Sequence, residues 1–430
     1  MPAQRVVIHV GTPKSGTTYL QELMWESRGT LAEAGVLYPG DDPTDHFLAT
    51  LDLSHGNFNG WDDGVSGAWQ RLVDAARAHG GTTVISHELF GDVPEEAIAR
   101  ALADLAFAEV HVVVTARDLA RQLPAVWQED VKNRHYLPFT DFLDIVHPDS
   151  LRPDTPRPAG EGRQGHGEAF WMRQAVPRIL HRWGSGLPGS QVHLVTVPPP
   201  GAGPEVLWHR FASAIGVDPA AATLPDAHRN TSLGRVETEL LRRLNERLDY
   251  RIEWGIYGPR VTHHLATEVL PRRAATVRLR LPAAHLEWAR ACADALVTEI
   301  ADMAITVTGD LADLTVPEAG AVVTEEEPAA CELLDAALDA LAALIPTEHE
   351  PRSAAARPGE PESADAEHEE AHEPESSQPT GLGALPTPAS FLLRRERDRP
   401  LGRAVLGRLR RVVAPRPPVG ALPEGHLSAV

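Results

Sequence analysis

Lysine is nearly missing from this chain. Of its 40 basic side chains only Lys14 and Lys132 are lysines, the rest being arginines. A lysine at a particular spot is therefore not background. Cysteine is almost as scarce: Cys292 and Cys331 fit no metal-ligand spacing and no disulfide framework, as expected of a chain kept in a reducing, cytoplasmic setting. No run of 18 uncharged apolar residues occurs, so no membrane-spanning helix is expected. The N-terminus enters an apolar strand within a few residues and shows no signal-peptide h-region. There is no Gly-Lys dipeptide, which argues against a Walker A loop, and neither an acidic pair for magnesium nor a Walker B strand is evident. No metal is expected. The net charge of −20 argues against general nucleic-acid affinity.

What is present is a regular alternation. Apolar, largely β-branched runs with charge only at their ends cover Arg5–Val10, Gly35–Gly40, Thr82–Glu88, Glu109–Arg117 and Gln191–Val197. Helical spacing follows in Tyr19–Met24, 69–79, 95–107, 118–133, 169–183, 205–215 and 235–249, and resumes over 281–303 and 329–344. Strands alternating with helices of 10–15 residues predict an α/β fold, a central parallel sheet flanked by helices. In such sheets ligands bind beyond the carboxyl ends of the strands. That rule selects the loop after Val10, the His87-Glu88 end and the Arg117 end.

The loop Gly11-Thr12-Pro13-Lys14-Ser15-Gly16-Thr17-Thr18 lies between the first strand and the first helix. A glycine-bearing turn into a helix N-terminus, with a lysine beside it, is an anion site in physical terms. A strand followed by Pro-Lys-Ser-Gly-Thr-Thr resembles the 5′-phosphosulfate loop of the sulfotransferases that use 3′-phosphoadenosine-5′-phosphosulfate (PAPS). The resemblance covers about residues 4–250. It implies a P-loop-like sulfotransferase fold and PAPS as co-substrate, with Lys14, Ser15, Gly16, Thr17 and Thr18 around the 5′-phosphosulfate. It implies that Arg117 binds the 3′-phosphate and that His87 or Glu88 takes the acceptor proton. No metal is required on this likeness. The family places a serine eight residues after the arginine; Ala125 stands there, leaving Arg121, Gln122 and Gln128 as candidates for that contact. The family's C-terminal Arg-Lys-Gly motif is absent. In its place Arg229-Asn230-Thr231-Ser232-Leu233-Gly234 precedes a long helix, where Ser232 is either a phosphate contact or simply a helix cap.

Trp25, Trp61, Trp127 and Tyr136 could stack on adenine or line an acceptor pocket, though most tryptophans in an α/β protein serve its core. His46 and His55 fall in a loop on the presumed acceptor side without metal spacing. The expected organisation is a PAPS-binding domain over 1–250 and a mainly helical extension over 251–345. An acidic, Pro/Glu/Ser-rich disordered linker covers 346–390, and a basic amphipathic tail covers 391–430. Residues 391–416 hold nine arginines against two acids and suit weak peripheral contact with an anionic membrane or an acidic partner, unless the tail is merely solvated. The expected activity is sulfuryl transfer to a small-molecule, glycolipid or saccharide acceptor. The alternatives are a nucleotide-dependent phosphotransferase and a non-catalytic scaffold acting through the charged tail.

Overall fold

β-branched runs that are apolar at odd and even positions alike suit strands covered on both faces, and the chain uses them so. The computed structural model describes residues 4–54, 64–148, 163–203, 205–224, 233–273, 276–316 and 327–345. Six strands form one sheet: β1 (Arg5–His9), β2 (Val36–Leu37), β3 (Thr82–Ser86), β4 (Glu109–Ala116), β5 (Val192–Thr196) and β6 (Thr306–Thr308). Their order is β2-β3-β1-β4-β5-β6 and every pairing is parallel. β1 is central, with His9 level with Ser86 on one side and Val113 on the other. From β1 the chain moves outward to β2 and back to β3, then crosses to β4. The direction of winding thus reverses beside β1, which is where the loop after β1 emerges.

The helices in chain order are α1 (Thr17–Glu26), α2 (Arg28–Glu33), α3 (Asp45–Leu53), α4 (Ala68–His79), α5 (Glu95–Asp104), α6 (Leu119–Lys132) and α7 (Phe139–Val146). They continue with α8 (Arg163–Gln174), α9 (Val176–Gly184), α10 (Glu205–Ile215), α11 (Arg235–Leu248) and α12 (Trp254–Tyr257). A π-helical stretch over Gly258–Val269 leads to α13 (Ala283–Ala301) and α14 (Ala330–Ala343).

One sheet face presents Val7, Val84, Val113 and Val195 to Leu20 and Leu23 of α1 and to Trp208 and Phe211 of α10. The other presents Val6, Ile8, Ile85, Val112 and Val114 to Phe47, Trp69, Phe90 and Trp183 from the opposite helical layer. The period-2 alternation therefore distributes one valine-rich sequence over two cores. A third cluster, around Leu123, Trp127, Phe142 and Leu241, joins α6 to α7 and α11.

Three local expectations need correction. The strand expected over Thr82–Glu88 ends at Ser86: the His87 N–H still donates to His9 O at 3.2 Å, but the His87 Nδ1 accepts the Leu89 N–H at 3.1 Å and caps a short 3₁₀ turn. The helix expected over 169–183 is two helices broken at Ala175. Pro177 explains the break: it lacks the N–H that an unbroken helix would use and suits a first turn. β6 was not expected at all, since three half-exposed residues carry no readable pattern.

Candidate active site

The loop is bound to its neighbouring strand rather than left free. Val10 N–H donates to Val113 O at 2.8 Å and Thr12 N–H to Thr115 O at 3.1 Å, so the backbone tracks β4 past the end of β1. Ser15 is buried, and its hydroxyl donates to Thr12 O at 2.6 Å and lies 2.7 Å from Thr115 Oγ1. Thr17 is buried and Thr18 exposed. Gly11 has no room for a side chain: a Cβ there would lie 2.0 Å from Thr17 Cγ2 and 2.7 Å from Thr115 Oγ1. Gly16 caps α1 at φ +83°, a conformation that favours glycine, and it offers no capping side chain. The first-turn N–H groups, which a helix leaves without intrahelical acceptors, thus meet no capping side chain among the described residues. Lys14 itself is in the left-handed region, at φ +68°.

The side chain of Lys14 crosses to α6, where its Nζ lies 2.9 Å from Glu129 Oε2. Lys132 Nζ stands 3.9 Å from the same oxygen. Burial alone would raise the Glu129 carboxyl, but the charges of Lys14 and Lys132 and bonds from Lys14 and Asn133 outweigh it and hold it at about 2. Arg117, one residue past β4, donates from Nη1 to Lys14 O at 3.2 Å. Its Nε is buried and has no partner among the described residues. Burial, with neighbouring Arg121 adding to it against Asp118, lowers this guanidinium to about 10, so it remains charged near neutrality.

Gln122 is packed under the loop. Its Nε2 donates to Pro13 O and, at 2.9 Å, to Gln174 Oε1. Its Oε1 is buried without a partner among the described residues. Arg121 is engaged with Asp118 and with Pro198 O at 2.9 Å. Gln128 donates to Leu233 O at 2.7 Å and so ties α6 to the start of α11. Of the three residues considered near the missing serine, Gln122 alone contacts the loop. A small cleft beside Arg117 is lined by Thr12, Gln174, Leu119, Val176 and Leu314.

The two residues after β3 differ in kind. His87 is 2 % exposed. Because its Nδ1 accepts the Leu89 N–H, the neutral ring carries its proton on Nε2, which has no partner among the described residues. Burial lowers its pKa, with Glu88 opposing. Glu88 accepts from Gln21 Nε2 of α1 at 3.2 Å. Burial pushes that carboxyl up, yet His87, a backbone N–H, Gln21 and Lys14 together hold it below the usual carboxylate value. Under both residues His9 bridges three strands, Nδ1 at 2.7 Å from Ser86 Oγ and Nε2 at 3.2 Å from Thr115 Oγ1.

The remaining candidates separate cleanly. Trp127 is core and donates to Leu137 O at 2.9 Å. Trp25 lies under the Arg28 guanidinium at 3.5 Å, and Tyr136 donates to Asp249 at 3.4 Å. His46 is buried, with Nε2 donating to Pro39 O at 2.7 Å and Nδ1 accepting the Ser86 N–H at 3.0 Å. Ser232, Trp61, His55 and the 346–430 segment lie outside the described residues. Sequence reasoning missed Glu129, Gln21 and Gln174. Glu129 alone left a trace, since it sits three residues before one of only two lysines.

No family model matches this chain, and no curated protein does. Among solved structures, the crystal structure of a sulfotransferase from Alicyclobacillus acidocaldarius is similar at 15% identity, with a TM-score of 0.35, over 60% of this chain and 99% of that one. A superposition that loose carries no weight for the site. Among the described residues no group of three or more His, Cys, Asp or Glu side chains is placed to hold a metal ion. No described helix is long and apolar enough to cross a membrane.

Proposed function

We propose that this protein transfers a sulfuryl group from PAPS to a hydroxyl or amine of a small-molecule, lipid or saccharide acceptor. The observation that carries the proposal is that Lys14 and Arg117, separated by 103 positions in sequence, meet at one loop, joined by the 3.2 Å bond from Arg117 to the Lys14 carbonyl. Two cations beside an uncapped helix N-terminus suit a ligand with two anionic ends. The buried Nε of Arg117, without a partner among the described residues, and the first turn of α1 fit phosphate oxygens as acceptors.

In this mechanism the first-turn N–H groups of α1 and Lys14 hold the 5′-phosphosulfate, and Arg117 takes the 3′-phosphate. The acceptor oxygen or nitrogen forms a bond to sulfur as the bond from sulfur to the 5′-phosphate oxygen breaks. The departing electron pair stays on that phosphate, where Lys14 offsets its charge. Little covalent work falls to the protein, so the rate comes from alignment and electrostatics, as in phosphoryl transfer. Glu88 takes the acceptor proton. His87 is the poorer base because its only free ring nitrogen already bears a hydrogen.

The test is binding of labelled PAPS to the wild type, Lys14→Ala and Arg117→Ala. Each substitution should weaken binding by about tenfold or more, the worth of a charge-assisted bond. Unchanged binding in both overturns the assignment.

A further inference from the structure

Both lysines of the chain converge on one carboxylate. Glu129 Oε2 lies 2.9 Å from Lys14 Nζ and 3.9 Å from Lys132 Nζ. Elsewhere among the described residues most ion pairs are made by arginine. Arg173 Nε sits 2.8 Å from each oxygen of Asp92, and Arg242 holds Glu239 in a fork, Nε and Nη2 each 2.8 Å from one oxygen. A guanidinium fork is a rigid, two-point hold, whereas an ammonium is a single charge on a flexible stem. A chain that uses arginine nearly everywhere uses lysine at the two places that face Glu129. Lysine is the choice for a pairing that must be exchanged.

An exchange raises a difficulty that the geometry answers. When Lys14 turns to an anion in the loop, Glu129 loses its nearest counter-charge while 18% exposed, and a partly buried carboxylate left alone is costly. Lys132 is one turn along the same helix, 3.9 Å away: near enough to attract, too far for a hydrogen bond. Asn133 Nδ2 stands by at 3.4 Å from the other oxygen, Oε1. We infer that Glu129 and Lys132 form a hand-over pair. Glu129 holds Lys14 until an anion binds, and Lys132 closes on Glu129 when a phosphate or sulfate ester draws Lys14 away. This rests on the loop being an anion site, as proposed above. Neither Glu129 nor Lys132 touches the reacting atoms; both act on Lys14 as positioning residues.

The scarcity of lysine makes the idea directly observable. Full-length protein labelled with ¹³C only at lysine Cε should give two lysine signals, assigned by loss of one in Lys14→Arg. The probe is adenosine 3′,5′-bisphosphate. Hand-over requires both signals to move on saturation, although Lys132 does not meet the ligand. In affinity, Glu129→Gln should bind the probe several-fold tighter, because Lys14 is released. Lys132→Met should weaken binding by about tenfold in the wild-type background but by less than about twofold beside Glu129→Gln, the non-additivity expected of coupled neighbours. Lys132→Gln serves as the second variant if Lys132→Met does not fold. A Lys14 signal that moves alone, or Lys132 effects that are equal in both backgrounds, overturns the hand-over and leaves the loop as an anion site. A wild type that does not bind the probe overturns both.

Discussion

Arg117 donates from Nη1 to the carbonyl oxygen of Lys14 at 3.2 Å, so the residue that follows β4 holds the backbone of the residue that dominates the loop. One guanidinium can make that bond and still present other N–H groups to a ligand. An ammonium of similar reach cannot do both with the same geometry. Arg117→Lys should therefore keep the charge but lose affinity for adenosine 3′,5′-bisphosphate by about tenfold, measured calorimetrically. Retained affinity would show that charge alone suffices there.

Gly11 and Gly16 should resist substitution for different reasons. At Gly11 a methyl group would sit 2.0 Å from Thr17 Cγ2, so the loop must shift away from β4. At Gly16 a methyl would meet Leu207 Cδ2 at 2.4 Å and be strained by φ +83° as well. Either alanine should cost about 1–3 kcal/mol in urea unfolding, the usual range for overpacking. If neither substitution lowered stability, the tight seating of the loop would be wrong.

Acid should weaken the fold before most carboxylates titrate. Burial lowers His9 from 6.5 to about 3, with Glu88 opposing and His87 adding. Burial likewise lowers His46 from 6.5 to about 4, with its bond to Pro39 opposing. Below pH 6.5 the unfolded chain takes protons on these rings and the folded chain does not. Their contribution is complete above pH 6.5 and is lost as pH falls toward about 4 for His46 and about 3 for His9. Each ring should lower unfolding free energy by about 1.4 kcal/mol per pH unit within its window. Stability measured between pH 5 and 6 in His9→Gln should lose one proton's worth of slope; an unchanged slope would mean that His9 is not held neutral.

Substitutions at the end of β3 should separate chemistry from structure. If the proposed sulfuryl transfer holds, Glu88→Gln should lower its kcat by roughly 10²–10⁴-fold with little change in the KM for PAPS, as loss of a general base does. His87→Ala removes the cap on the Leu89 N–H and should cost about 1 kcal/mol of stability while sparing kcat far more than Glu88→Gln does. The reverse ranking of kcat values would exchange the two roles.

The parts of the fold legible in the sequence were those with a long, single-signed pattern. The run Glu109–Arg117 reads as a central buried strand and is one, with every residue from Val110 to Ala116 buried. β6 has three residues and takes its stability from pairing with β5, which no local pattern records. In the site, the loop declared itself through glycine, lysine and the helix that follows. Glu129 did not, because a glutamate in an amphipathic helix normally marks a solvated face, and only the third dimension sets it against Lys14. Gln174 contacts Pro13 O at 3.3 Å across 161 residues, a relationship that spacing cannot encode.

The backbone of Lys14, at φ +68°, has one more consequence. A residue with a Cβ pays roughly 1–2 kcal/mol to stand in that conformation, and glycine does not. Lys14→Gly should relieve that strain but leave the partly buried Glu129 without its 2.9 Å partner, so the melting temperature should rise only when it is combined with Glu129→Gln, and both variants should lose affinity for adenosine 3′,5′-bisphosphate. Under the proposed function, a side chain kept where glycine would stand with less strain is kept for its charge beside the loop and not for the backbone it occupies.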